Sequence, residues 1–193
     1  MTIRSLCVFC GSRMGTDPAH ARDAERLGTL LAANGIRLVY GGGGIGLMGV
    51  VAQAVLDGGG QVVGVIPDFL QKLEVGMAGL TELHVVETMH ERKNRMFEMS
   101  DGFLVLPGGL GTLDETLEIL TWRQLRQHDK PVIVVDLGGY WSALDALVAR
   151  TIEGGFADPG VRRLYTRVER IEDILPALVH QPAPAVAPRT DQL

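Results

Sequence analysis

The feature that most narrows the fold of this chain is a series of short, unbroken apolar runs separated by amphipathic segments. Pro131-Val-Ile-Val-Val135 is the clearest of them, with no polar residue to turn toward water. A strand with one wet face alternates polar and apolar residues, whereas a strand covered on both faces reads as a continuous apolar run. Strands of this buried kind are expected at residues 3–10, 36–40, 61–66, 83–86, 102–106, 131–136 and 164–168. Helical periodicity falls between them, at 17–34, 47–56, 88–100, 112–128, 141–153 and 171–179. Residues 67–79 read as an exposed loop with at most one helical turn. Alternating strands and helices with doubly covered strands predict an α/β fold: a mostly parallel sheet of about seven strands with helices on both faces. The 193 residues suit one domain over 1–180, and the Pro/Ala-rich segment 181–193 is expected to be a disordered tail.

Ligands of such sheets bind beyond the carboxyl ends of the strands. Four loops therefore matter: Gly11-Ser12, Gly41 to Gly46, the region after Ile66, and Pro107 to Thr112. The last is the richest. Leu104-Val-Leu-Pro-Gly-Gly-Leu-Gly-Thr-Leu-Asp-Glu115 reads as strand, tight turn and helix start. Glycines allow a ligand to approach the backbone, and the first helical turn offers unpaired N–H groups at the positive end of the dipole. Phosphate is the natural occupant of such a site. Thr112-Leu-Asp-Glu115 also fits a capping box, with Thr112 as the cap. A carboxylate in a first turn is favoured by the dipole, so Glu115 is expected to stay ionised at neutral pH, ready to stabilise positive charge or activate water.

Met89-His-Glu-Arg-Lys-Asn-Arg95 places three cations near a helix start, where the dipole disfavours them, so an anionic partner is expected. His90 reads as a surface residue. Gly44-Ile-Gly-Leu-Met-Gly49 matches the dinucleotide fingerprint, but it follows the second strand and competes with an equally good glycine turn at Gly108 to Gly111, so its glycines are read as packing residues. Cys7 and Cys10 lie in one strand, where positions i and i+3 face opposite ways, and no second pair completes a zinc site; they are read as structural thiols. No nucleophile elbow, zinc-protease helix or P-loop lysine occurs. The formal net charge of −5 gives no general attraction to nucleic acid or anionic membranes. With neither a signal peptide nor an apolar run of about 20 residues, a cytoplasmic setting is expected.

Three segments together, Gly41-Gly-Gly-Gly-Ile-Gly-Leu-Met-Gly49, Met89-His-Glu-Arg-Lys93 and Pro107-Gly-Gly-Leu-Gly-Thr-Leu-Asp-Glu115, resemble the motifs of the LOG ("Lonely guy") family. The likeness runs from about Ile3 to Val179 and includes Thr121-Trp122 and His128-Asp-Lys-Pro131. The resemblance implies a Rossmann-like homodimer, or a larger homo-oligomer, that hydrolyses the N-glycosidic bond of an N6-modified adenosine monophosphate to free base and ribose 5-phosphate, with no cofactor or metal. By position it makes Arg92 and Glu115 the catalytic pair, and Glu74, Lys93, Gly108, Gly109, Gly111, Thr112 and Thr121 ligand contacts. Ser12, Gly43, Met89 and Leu110, from the strand-end loops and the same motifs, complete the candidate set. The competing expectations are a broader nucleotide nucleosidase, a non-catalytic nucleotide or cofactor carrier, and a lysine decarboxylase. For the last, the only lysines are Lys72, Lys93 and Lys130.

Overall fold

The computed structural model describes residues 3–74 and 76–180. From the N-terminus run β1 (Ser5–Phe9), α1 (Ala19–Ala33), β2 (Arg37–Tyr40), α2 (Gly46–Asp57), β3 (Val62–Pro67), α3 (Asp68–Glu74) and β4 (Glu82–Val86). The second half holds α4 (Met89–Glu98), β5 (Gly102–Val105), α5 (Leu110–Gln124), β6 (Val132–Val135), α6 (Ser142–Glu153), β7 (Thr166–Val168) and α7 (Ile174–Val179). The strands form one sheet in the order β4-β3-β2-β1-β5-β6-β7, and every pairing is parallel. The chain thus builds outward from β1 to one edge, then returns to lay β5 on the other side of β1. That reversal puts the topological switch point between β1 and β5, where Phe9 pairs with Val105 at the carboxyl ends.

The continuous apolar strands serve two cores. Leu6, Val8 and Cys10 point into one with Leu27, Leu31, Val51, Val55 and Ile174. Cys7 and Phe9 point into the other with Met96, Phe103, Ile119, Leu120 and Leu144. The two cysteines are therefore free, buried and on opposite faces, as their spacing requires. Helix α1 buries Ala24, Leu27, Gly28 and Leu31, a stripe at three- and four-residue spacing. Fully burying leucines such as Leu27 and Leu31 contributes about 2–3 kcal/mol each.

The edge strand β4 is not buried on both faces as its apolar run suggests, with Leu83 and Val85 exposed, and several boundaries differ from expectation. Residues 68–74 form two helical turns rather than a loop, held by the Lys72–Asp68 pair at 2.9 Å with Asp68 at the favourable end of the dipole. Their weak sequence signal reflects a helix that leaves Phe69 half exposed. Residues 171–173 are a 3₁₀ turn, and α7 begins only at Ile174, with Pro176 in its first turn. Helix α5 starts at Leu110, two residues before Thr112, because extended Gly109 (φ −94°, ψ −154°) takes the cap position. The tail 181–193 lies outside the described residues. Among the described residues, no helix is long and apolar enough to cross a membrane.

Candidate active site

Three loops meet at the switch point and are tied there by backbone bonds through one residue. Gly11 N–H donates to Pro107 O at 3.0 Å, and Gly11 O accepts from Met48 N–H at 3.3 Å. The turn after β1, the turn after β5 and the start of α2 are thereby locked around a cleft of about 800 Å³. The α2 start is partly satisfied by this bond. The α5 start is not: the first-turn N–H groups of Leu110, Gly111 and Thr112 take no acceptor among the described residues. These amides, with Gly108 and Gly109, line the cleft and form an anion cradle at a helix N-terminus. Gly108 is needed for the close fit, since a Cβ there would sit 2.1 Å from Thr112 Oγ1.

The cleft floor carries a buried ion pair. Arg92, from the second turn of α4, places Nη2 at 3.9 Å from Glu115 Oε1, and the two residues are only 7% and 8% exposed. Arg92 Nη2 also donates to Gly41 O at 3.3 Å, and its Nε has no hydrogen-bond partner. Gly41 admits the guanidinium: a Cβ on it would lie 1.9 Å from Nη2. Thr88 caps α4 by accepting from Glu91 N–H at 3.1 Å, which sets the helix register that presents Arg92.

Two expectations for Glu115 are corrected here. Thr112 occupies the third helical position rather than the cap, so Glu115 lies in the second turn and closes no capping box. Nor is the carboxyl held ionised by the helix dipole. Burial pushes its pKa up to about 7, with the charge of Arg92 opposing and that of Asp114 reinforcing the shift. The glutamate is thus poised between forms at neutral pH, the range in which a proton-transfer group is most effective. The same burial, helped by Glu115, raises the Cys10 thiol far above the range where it could act as a thiolate.

Of the predicted residues, Ser12, Met89, Arg92, Gly108, Gly109, Leu110, Gly111, Thr112 and Glu115 line this cleft. Lys93, Gly43 and Thr121 do not. Lys93 bonds Asp114 at 3.1 Å and Glu118 at 2.9 Å, the anionic partners expected for this cationic helix start. Burial lowers its pKa, but the two carboxylates outweigh that and raise it. Gly43 bridges to Gly76 beside β3. Thr121 is exposed on α5, its hydroxyl spent on Leu117 O at 2.7 Å. Glu74 ends α3, and its side chain lies outside the described residues. The fingerprint glycines Gly44, Gly46 and Gly49 stay out of the cleft; a Cβ on Gly46 would meet Ser12 backbone at 2.3 Å, a packing role. His20 and Tyr140 were not predicted, yet both line the cleft. Tyr140 follows Gly138-Gly139 at the end of β6, a fifth strand-end loop that the same topological rule covers. Among the described residues, no group of three or more His, Cys, Asp or Glu is gathered that could hold a metal ion.

A doubly wound parallel sheet with unpaired helix-start amides and a buried carboxylate–guanidinium pair at its switch point defines a Rossmann-like protein. The family model described as "Possible lysine decarboxylase" matches residues 48–178. The chain belongs to that family, the LOG family, whose members include two Arabidopsis thaliana relatives. The cytokinin riboside 5′-monophosphate phosphoribohydrolase LOG1 is 43% identical over 180 residues, 90% of this chain and 84% of the relative. The enzyme LOG3 of the same name is 43% identical over 175 residues, 91% of this chain and 81% of the relative. Among solved structures, the molybdenum cofactor carrier protein of Chlamydomonas reinhardtii matches with a TM-score of 0.69 at 19% identity, covering 93% of this chain and 98% of that one; the likeness is one of fold.

Proposed function

We propose that this protein is a nucleotide N-glycosidase that hydrolyses cytokinin riboside 5′-monophosphates, which are N6-modified AMP, to free base and ribose 5-phosphate. The observation that carries this reading is the buried Glu115–Arg92 pair in the same cleft as the unpaired amides of the α5 start. The relatives named for this reaction match most of the chain.

In this reading the 5′-phosphate sits on the amides of Leu110, Gly111 and Thr112, and its binding energy orients the ribose. As the bond from C1′ to the base breaks, its electron pair leaves with the base and positive charge builds on the sugar. Ionised Glu115 stabilises that charge and accepts a proton from the water that attacks C1′. Arg92, anchored on Gly41 O, orients the carboxylate and lowers its pKa toward the ionised form. The proton that Glu115 takes from water is returned, by way of solvent, to the departing base nitrogen, so nucleotide plus water gives neutral base plus ribose 5-phosphate and Glu115 is ionised again.

A carrier of nucleotide or cofactor would need the cradle but not the buried pair. A lysine decarboxylase would need a reactive amine in the cleft, and Lys72, Lys93 and Lys130 are instead engaged by Asp68, by Asp114 and Glu118, and by Phe97 O. We also propose a homodimer through α5. Leu110 and Leu117 on that helix and Leu125 just past its end are exposed, and Thr121 lies about 14 Å of helix rise from Thr112, so a ligand role for it is served by a second copy.

The test is incubation with isopentenyladenosine 5′-monophosphate, AMP and pyrimidine monophosphates, with chromatographic detection of products. Free base and ribose 5-phosphate, formed fastest from the N6-modified nucleotide, are expected. Equal rates across the panel favour the broader nucleosidase, and tight binding without turnover favours the carrier.

A further inference from the structure

The loop between β6 and α6 reaches the cleft from a side that no motif marks. Asp136, buried where β6 ends, accepts from Trp141 N–H at 3.0 Å. That bond closes the loop over residues 137–140 and fixes where Tyr140 emerges. Trp141 is itself buried, and its ring supports Tyr140 edge-on at 5.0 Å. From this base the Tyr140 hydroxyl donates to Gly108 O at 2.7 Å, while its ring meets His20 edge-on at 5.6 Å. One side chain thus touches both sides of the switch point, the turn after β5 and the start of α1.

The bonded carbonyl belongs to the peptide between Gly108 and Gly109. A peptide flanked by two glycines can rotate at little steric cost, because no Cβ resists the change in ψ and φ. In a trans peptide the C=O and N–H point in opposite directions, so holding Gly108 O fixes the direction of Gly109 N–H as well. Gly109 is the cap from which the unpaired amides of α5 follow. The Tyr140 hydroxyl therefore selects one orientation of a turn that its own residues leave free.

We propose that Tyr140 is a positioning residue for the 5′-phosphate: its hydroxyl holds the Gly108–Gly109 peptide in the orientation that presents the glycine turn and the α5 amides to the phosphate. Asp136 acts through Trp141 to set Tyr140. Tyr140 is 45% exposed, so core packing does not account for the residue, and packing would not need the hydroxyl. This inference rests on the reading of the cleft as a nucleoside monophosphate site.

The experiment is Tyr140→Phe, which keeps the ring contacts and removes one donor. Ribose 5-phosphate binding is measured by calorimetry, and kcat and KM are measured for isopentenyladenosine 5′-monophosphate and for the nucleoside without phosphate. Loss of one neutral hydrogen bond should raise the ribose 5-phosphate Kd and the nucleotide KM about five- to tenfold. The nucleoside kcat/KM should stay unchanged, and Tm should fall by no more than about 4 °C. Unchanged ribose 5-phosphate binding, or an equal loss on nucleotide and nucleoside, overturns the inference while base release by the wild type still stands. Wild-type protein that neither binds ribose 5-phosphate nor releases base overturns the underlying reading instead.

Discussion

Glu115 concentrates the chemistry in one side chain, and its environment sets a pH dependence of defined sign. Its folded pKa of about 7 lies above its ordinary 4.5, so the native state holds the extra proton between those values. Stability is then highest in this respect below about pH 4.5 and falls as pH rises through about 7, where the buried charge costs about 3 kcal/mol. Glu115→Gln should accordingly be more stable than the wild type at pH 8, by up to about 3 kcal/mol, with the difference shrinking toward pH 5 in denaturant titrations. Activity should run the other way. In the proposed mechanism the ionised carboxylate is the working form, so kcat/KM of the wild type should rise with pH and level off above an inflection near 7. A flat profile from pH 5 to 9 contradicts that assignment. The residue types at the site were legible in the sequence, since Arg92 and Glu115 stand in the resembling motifs. The protonation of Glu115 was not, because a first-turn position was inferred from Thr112 and the burial that dominates comes from the floor of the assembled cleft.

At the scale of elements, the site depends on how closely α4 approaches the turn after β2. Gly41→Ala introduces a methyl 1.9 Å from Arg92 Nη2, the far end of a flexible side chain that can move away. The fold should survive with a modest loss of Tm, while kcat/KM falls about as far as in Arg92→Ala and the activity inflection moves above 7, because Glu115 loses its nearby cation. Wild-type activity in Gly41→Ala would show that the Arg92 position is not needed. The elements are legible in continuous apolar runs and glycine stops, which predict a mostly parallel sheet with helices on both faces; the strand order and its reversal at β1 are seen only in the assembled sheet. Errors fell where tertiary contacts decide: the α5 start, because Gly109 can cap in an extended conformation without a side chain, and α3, whose amphipathic pattern is faint. Tyr140 is not legible in the sequence, because a lone tyrosine after two glycines carries no periodic signal and only the assembled sheet brings it to Gly108.

At the scale of the whole molecule, the exposed leucines of α5 ask for a partner. Leu117 and Leu125 are 43% and 61% exposed, so aspartate at both should not disturb the core. Light scattering should give a dimer mass for the wild type at micromolar concentration and a monomer for the double variant, since a stable interface buries at least about 1,000 Å² and cannot absorb two charges at its centre. A monomeric wild type removes the α5 dimer. The proposed reaction places the breaking of an N-glycosidic bond on the buried carboxylate at the switch point, and base release by two proteins side by side decides whether it does so. Free base released from isopentenyladenosine 5′-monophosphate is followed for the wild type and for Glu115→Gln, each shown by its melting curve to be folded. The wild type should release base and ribose 5-phosphate in equal amounts, and the variant should be at least about a thousandfold slower. Base release at the same rate by both proteins, or intact nucleotide after prolonged incubation with the wild type, would contradict it.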